Sequence, residues 1–414
     1  MQDHFDVVVI GAGAAGLAAA ARLARSRLSI VVLEGQGRIG GRAHTFAARP
    51  DLPVDLGCGW IHSADKNPFT TLFARADIPV DRTPPAWGRA GGNLSLSEAD
   101  AAAFQAALAD FEAQISAAAR EGREDRASAH LPRQTRWLPM LEAFSGYYNG
   151  AQLSQISVQD YEAYEDTGVN WRALEGYGAA ICALADRSLI VPHCGVLSID
   201  HGGQVLQLET ARGRITARAV IITLSSALIA TEAIRFDPPL PAKTDAALGV
   251  PLGLANKVFL SPTAPEAFPR EQHLWGSTQT SQTGSYYLRP LGRPVIEAYF
   301  GGDHARALEA AGPGAAAAFA REELAKAFGA RTGGELRLIA ETRWGQDPYA
   351  LGAYSHALPG CAGARADLAA PVDDRLFFAG EATSRRAFST AHGAWESGLR
   401  AADEALAALG VRAG

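Results

Sequence analysis

Six residues near the start of the chain, Gly11-Ala12-Gly13-Ala14-Ala15-Gly16, have the types and spacing of a phosphate cradle. Gly11 permits a tight turn, Gly13 lets a pyrophosphate approach the backbone, and Gly16 lets a helix pack closely on the preceding strand. Glu34, about 20 residues on, has the position of an acid that accepts ribose hydroxyls and repels a 2′-phosphate. Gly40 and Gly41 form a second glycine turn, which brings backbone close to the guanidinium groups of Arg38 and Arg42. Such groups pair with phosphate oxygens. Together these residues describe a dinucleotide site. A different chemistry is signalled by Lys257, a lysine flanked by apolar residues in Leu254-Ala255-Asn256-Lys257-Val258-Phe259-Leu260. The cysteines Cys58, Cys182, Cys194 and Cys361 form no C-x-x-C pair and no zinc spacing, so no metal is expected. A disulfide reductase would need that pair and a second G-x-G-x-x-G.

The elements around these residues are those a dinucleotide site needs. Phe5 to Ile10 is a β-branched run, as in a strand buried on both faces. Leu17 to Leu23 is a strong helix former whose positive N-terminus would meet the phosphates. Ser29 to Leu33 reads as the second strand and delivers Glu34. Near the other end, Arg375 to Glu381 is a short buried strand ending in Gly380-Glu381, and a helix is expected from about Gly393. Between them, Ser97 to Arg120 has helical spacing of Phe104, Leu108, Phe111 and Ile115. Val196 to Asp200, Val205 to Thr210 and Arg214 to Ile222 read as an antiparallel insertion. Strand-like runs around Val258, Tyr286, Val295 to Phe300 and Leu336 to Ile339 suggest a mostly antiparallel sheet under helices.

The two ends resemble the flavin amine oxidase superfamily, including its polyamine and monoamine oxidases. The N-terminal half of the likeness is G-x-G-x-x-G followed by E-x-x-x-R-x-G-G-R, from Glu34 to Arg42. The C-terminal half is Gly380-Glu381-Ala382-Thr383, then Ser389-Thr390-Ala391-His392-Gly393-Ala394. The resemblance implies an α/β fold. A Rossmann-type FAD-binding domain (1–75, 176–235 and 372–414), a parallel sheet with an antiparallel insertion, would be interleaved with an α+β substrate-binding domain (76–175 and 236–371). It implies FAD as cofactor. Gly57 and Trp60 lie in a loop matching one that passes the flavin, a backbone near Val196 would meet the adenine, and Trp344 opens a segment facing the flavin. Glu381 would lie at the ribityl–pyrophosphate region and Gly393-Ala394 at the pyrimidine end. By the same resemblance Lys257 holds a water at flavin N5, Tyr354 forms one wall of an aromatic cage, Thr390 the other, and His62 lies near the substrate. Ala353 occupies the place of a flavin-linking cysteine, so FAD would be non-covalent.

Composition narrows the function classes. The 414 residues carry a net charge of −6 with 48% hydrophobic and 20% charged residues, a globular balance. A basic stripe for nucleic acid is not indicated, and no apolar run reaches the roughly 20 residues of a membrane span. The N-terminal residues lack the pattern of a secretory signal, and a cytoplasmic location is expected, as monomer or homodimer. The expected activity is oxidation of a primary or secondary amine, polyamine or monoamine, to an imine and aldehyde, with O2 reduced to H2O2. The alternatives are a flavin L-amino-acid oxidase, for which Arg172, Arg289 or Arg343 would supply a carboxylate-binding arginine, and a related FAD-dependent desaturase or dehydrogenase.

Overall fold

The computed structural model describes residues 3–89, 91–132, 134–330 and 335–411. Val7, Val8 and Val9 are fully buried, as a strand covered on both faces requires. That strand, β1 (His4–Ile10), runs parallel to β2 (Ile30–Leu33) on one side and to β10 (Gly213–Ile222) on the other. β7 (Ile190–Val191) extends the sheet beyond β2. One edge of β10 is shared. Its first half pairs antiparallel with β9 (Leu206–Thr210), and its last residues pair parallel with β17 (Leu376–Phe378). β8 (Val196–Asp200) and β11 (Arg235–Asp237) complete eight strands. The expected parallel sheet with an antiparallel insertion is therefore present, and β10 belongs to both parts.

The second sheet has five antiparallel strands in the order β13 (Gln272–Trp275), β14 (Ser285–Leu288), β15 (Ile296–Gly301), β12 (Ala255–Pro262) and β16 (Leu336–Glu341). The sequence carries no strand signal at β13. Its four residues carry two aromatic rings, His273 and Trp275, and no β-branched residue, so the usual strand signal is missing. Side chains alternate across this sheet. Val258, Leu260, Tyr286, Leu288, Ile296, Ala298 and Phe300 form a core with the helices Gly302–Ala310 and Ala315–Phe328. The opposite set, Lys257, Phe259, His273, Trp275, Ser285, Tyr287, Glu297 and Tyr299, forms the other wall, with Lys257 opposite Tyr299 and Glu297 between Phe259 and Tyr287. Two small ladders join the parts: β3 (Thr45–Arg49) with β4 (Leu52–Asp55), and β5 (Val80–Asp81) with β6 (Arg172–Ala173).

The first helix, Ala14–Leu23, lies against the last, Ala391–Ala408, through small residues. Ala18, Ala19, Ala401, Ala402 and Ala405 are buried there. The last helix starts two residues earlier than expected because Thr390 caps it: its hydroxyl accepts from Gly393 N at 3.0 Å. Among the described residues, no helix is long and apolar enough to cross a membrane.

The contact between these helices leaves no space at Gly398, where an added Cβ would lie 2.0 Å from Ala15 O. Gly398→Ala should therefore push the last helix off the first and destabilise the protein by about 3 kcal/mol, the upper range for overpacking. Denaturant unfolding of the two proteins measures this directly.

Candidate active site

The first glycine turn is built for an anion. Gly13 is the N-cap of the first helix and offers no side-chain acceptor, so the first-turn N–H groups keep their donors for an external partner. Gly11 has φ +96°, and a Cβ on Gly16 would lie 1.9 Å from Gly11 O. The second glycine turn lies against the first: Gly40 N donates to Ala12 O at 2.8 Å, and a Cβ on Gly41 would lie 3.3 Å from Gly13 Cα. Arg38 closes that turn by donating to Gly41 O at 2.7 Å. Glu34 is buried at the end of β2, accepting from Ala12 N at 2.8 Å and Gln36 N at 2.7 Å. Cys194 N donates to Glu34 O at 2.8 Å, which brings Val196, buried at the start of β8, to the same place. Backbone donors, absent side chains and a buried acid fit the diphosphate and ribose of a dinucleotide.

The two ends of the chain meet at Glu381. Its Oε1 accepts from Arg42 Nη1 at 2.8 Å, and Arg42 also donates to Ala353 O at 2.7 Å. Its Oε2 accepts from Ser355 Oγ at 2.6 Å and Ser389 N at 2.8 Å. Burial opposes its ionisation, but Arg42, Ser355 and nearby Arg365 hold the carboxyl below its usual range. Gly380 N donates to Ser397 Oγ at 2.9 Å in the last helix. Gly393 and Ala394 follow Thr390, whose hydroxyl also donates to Ala387 O at 2.6 Å. That hydroxyl is thus committed to the cap. Gly57 passes so close to Arg42 that a Cβ would lie 1.6 Å from its carbonyl oxygen. Trp344 Nε1 donates to Leu56 O at 3.1 Å beside it.

Lys257 is buried. Its Nζ lies 2.8 Å from Glu297 Oε1 and donates to Asp55 O at 3.0 Å. Burial disfavours the ammonium, but Glu297, helped by Asp55 and Tyr299, outweighs it and raises the pKa above the ordinary lysine value. Tyr299, opposite Lys257, shares a 2.9 Å hydrogen bond with the Tyr354 hydroxyl, which also donates to Tyr147 O. Tyr147 stacks on Trp275 with centroids 5.3 Å apart. Tyr164 packs between Tyr148 and Phe388 at 5.5 and 5.2 Å. Trp60 meets Trp87 at 4.5 Å and Tyr287 at 5.9 Å. His62 Nδ1 lies 2.6 Å from Asn170 Oδ1, and burial lowers its pKa, aided by the Lys257 charge and opposed by Asn170 and Asp166. His392 is pushed down to about 4 by burial and by His62. Among the described residues, no group of three His, Cys, Asp or Glu could hold a metal ion.

The geometry brings Lys257 and Tyr354 together through Tyr299, sets Trp60 in a neighbouring aromatic group, and leaves Thr390 at a helix cap. Sequence reasoning missed Glu297, Tyr299, Tyr147, Trp87, Asn170, His392 and Arg365. Glu297 and Tyr299 alternate with Ile296, Ala298 and Phe300, so a period-two count along β15 would have found them. The others come together only by folding.

A family model for flavin containing amine oxidoreductase matches residues 89–406, and one for an NAD(P)-binding Rossmann-like domain matches residues 9–76. Polyamine oxidase 4 of Oryza sativa subsp. japonica is 28% identical over 96% of this chain and 88% of its own length. Lysine-specific histone demethylase 1 homolog 3 of Oryza sativa subsp. indica is 28% identical over 96% of this chain and 54% of its own, so the chain spans about half of that relative. The fold is that of a solved putrescine oxidase (TM-score 0.78, 18% identity, 98% and 99% coverage of this chain and that one). It is also that of cyclohexylamine oxidase from Brevibacterium oxydans IH-35A (TM-score 0.78, 21% identity, the same coverage).

Arg42→Met would leave Glu381 buried without its counter-charge, at a cost of about 3 kcal/mol. Because the native Glu381 pKa is depressed, its contribution is present above the usual carboxylate range and is lost as pH falls through the native value. Without Arg42 that loss should begin at higher pH. Free-flavin fluorescence during acid titration should show the variant releasing cofactor at higher pH than the parent; coincident curves would contradict the role of this pair.

Proposed function

The chain belongs to the flavin containing amine oxidoreductase family, and on that footing we propose that it is an amine oxidase that converts a primary or secondary amine to an imine, then an aldehyde. FAD is its cofactor. When bound, it would supply a two-electron acceptor for the hydride equivalent lost from the amine α-carbon, and those electrons would pass to O2 to give H2O2. The residues of 1–75, 176–235 and 372–414 form the cofactor domain in this reading, and those of 76–175 and 236–371 the substrate domain. Gly11, Gly13, Gly16, Gly40, Gly41 and Arg38 hold the diphosphate region and Glu34 the ribose. Arg42, Gly57, Gly380, Glu381, Gly393 and Ala394 line the flavin half. Ala353 has no thiol, so FAD is held without a covalent link.

One observation carries the substrate reading. Lys257 and Tyr354, from distant segments, are joined through Tyr299 on an aromatic wall. Such a wall excludes water, packs an alkyl chain and attracts a cationic amine. Lys257 supplies positive charge where electrons arrive. The neutral imidazole of His62, fixed by Asn170, orients the amine. No protein base is needed if the amine binds neutral. The polyamine oxidase likeness supports polyamines as the first class to test, with monoamines second.

The amino-acid oxidase alternative has less support. Arg172 is paired with Asp81 at 2.6 Å and Glu271 at 3.2 Å, and Arg289 with Glu266 at 2.9 Å. Arg343 donates to Glu309 O at 3.1 Å. Arg172 and Arg289 are already matched by carboxylates, so Arg343, which donates to a backbone carbonyl, is the arginine this alternative would use.

Peroxide release should be measured across polyamines, monoamines and L-amino acids. Turnover of amines and not amino acids is expected; the reverse order would overturn the reading. Lys257→Met should retain FAD and slow at least one half-reaction by about 10²-fold, the scale for losing one positioned electrostatic group. Stopped-flow reduction and reoxidation at wild-type rates would remove Lys257 from the mechanism.

A further inference from the structure

Lys257 has a direct counter-ion that its strand neighbours do not supply. Two carboxylates lie near its ammonium, and they differ in what they can give. Asp55 spends its oxygens elsewhere: Oδ1 accepts from Thr45 Oγ1 and Gly178 N, and Oδ2 from Tyr177 N at 2.9 Å. Only its backbone carbonyl meets Lys257. Glu297, reaching across from β15, places Oε1 at 2.8 Å from Nζ. Of the other titratable groups around the ammonium, Tyr299 is raised above its ordinary value by burial, and its hydroxyl is hydrogen-bonded to Tyr354. Cys58 is pushed up to about 12 by burial, and His62 is held low. All three are neutral near pH 8, so Glu297 is the charged group in contact.

Resting on the assignment of Lys257 to the flavin, we propose that Glu297 is a positioning residue that keeps the Lys257 ammonium charged and in place while amine substrates lose their proton. The chemistry makes this necessary. An alkylammonium ionises near pH 10, and only the neutral amine has the electron pair that drives hydride loss from the α-carbon. Oxidation therefore gains with rising pH. A lysine buried without a counter-charge deprotonates over the same range, because desolvation can lower its pKa by several units. The two demands conflict at one site, and the 2.8 Å pair relieves the conflict. Glu297 keeps its own access to water, with a side chain 23% exposed against 9% for Lys257.

The chain contains four lysines, Lys66, Lys243, Lys257 and Lys326, so carbon-13 labelling at lysine Cε gives a spectrum in which Lys257 is assigned by its loss in Lys257→Met. In FAD-loaded wild type the Lys257 signal should not titrate below pH 10. In Glu297→Gln it should titrate at least tenfold more easily, with Lys243 unmoved as the internal reference. The Glu297→Gln reoxidation rate should match wild type within twofold at pH 6.5 and fall about tenfold below it at pH 9.5, and Glu297→Asp should recover part of the difference. An unmoved Lys257 titration in FAD-loaded Glu297→Gln overturns the proposal. So does a wild-type Lys257 that deprotonates below pH 9, a test that stands even if the variant does not fold. A moved titration with inert kinetics in both Glu297→Gln and Lys257→Met instead overturns the role of Lys257, and with it the positioning role of Glu297.

Discussion

Glu381 is where three stretches of chain meet. Arg42 arrives from the second glycine turn, Ser355 from the segment after Trp344, and Ser389 from the loop before the last helix, and all three donate to one buried carboxylate. Ser389 is held with φ +63°, a conformation that costs of order 1 kcal/mol outside glycine. Its N–H to Glu381 and its hydroxyl to Ser355 O offset that. Behind the carboxylate stands Arg365, paired with Asp160 at 2.6 and 2.8 Å, donating to Ser355 Oγ at 2.8 Å and lying 3.8 Å from the Phe388 ring centroid. Buried charges are tolerated only when fully partnered, and here each is. The network joins Arg42 and Glu381 to Phe388, which packs on Tyr164.

The five-stranded sheet divides labour by face. Its aliphatic side seals a core with two helices, which fixes the strands. Its other side can then carry Lys257, Glu297, Tyr299, Tyr287 and Trp275 in one plane. Hydrogen-bond register places Lys257 opposite Tyr299, and a one-residue slip of either strand would turn its own member of the pair into the core. Precision at the site is therefore a property of apolar packing on the far side.

Much of this was legible in local patterns. The Gly11 to Gly16 turn, the strand from Phe5 and Glu34 after β2 depend on neighbours in sequence, and each signal appears where its physics acts. The antiparallel insertion was likewise readable, except that β10 would serve two partners along one edge. Three things were not. β13 lacked β-branched residues. Thr390 could be matched to a position but not to its hydrogen bond with Gly393, which becomes visible only with the helix start. The aromatic grouping of Tyr147, Tyr299 and Tyr354 draws on three distant segments, and no local periodicity reports such a meeting.

The close fit of the first helix to the last has a consequence for biosynthesis. Ala14–Leu23 leaves the ribosome long before Gly398, the residue whose missing side chain admits it. At roughly 5–20 residues per second the wait is on the order of half a minute. During that time the alanine face of the first helix and the waiting edge of β10 have no native cover, since β17 also comes late. The Gly11 to Gly16 turn can form early, but the buried Arg42–Glu381 pair cannot, because Arg42 has no Glu381 to meet. The first helix and the open edge of β10 thus gain their native cover only once the stretch from Leu376 to Gly398 has been made.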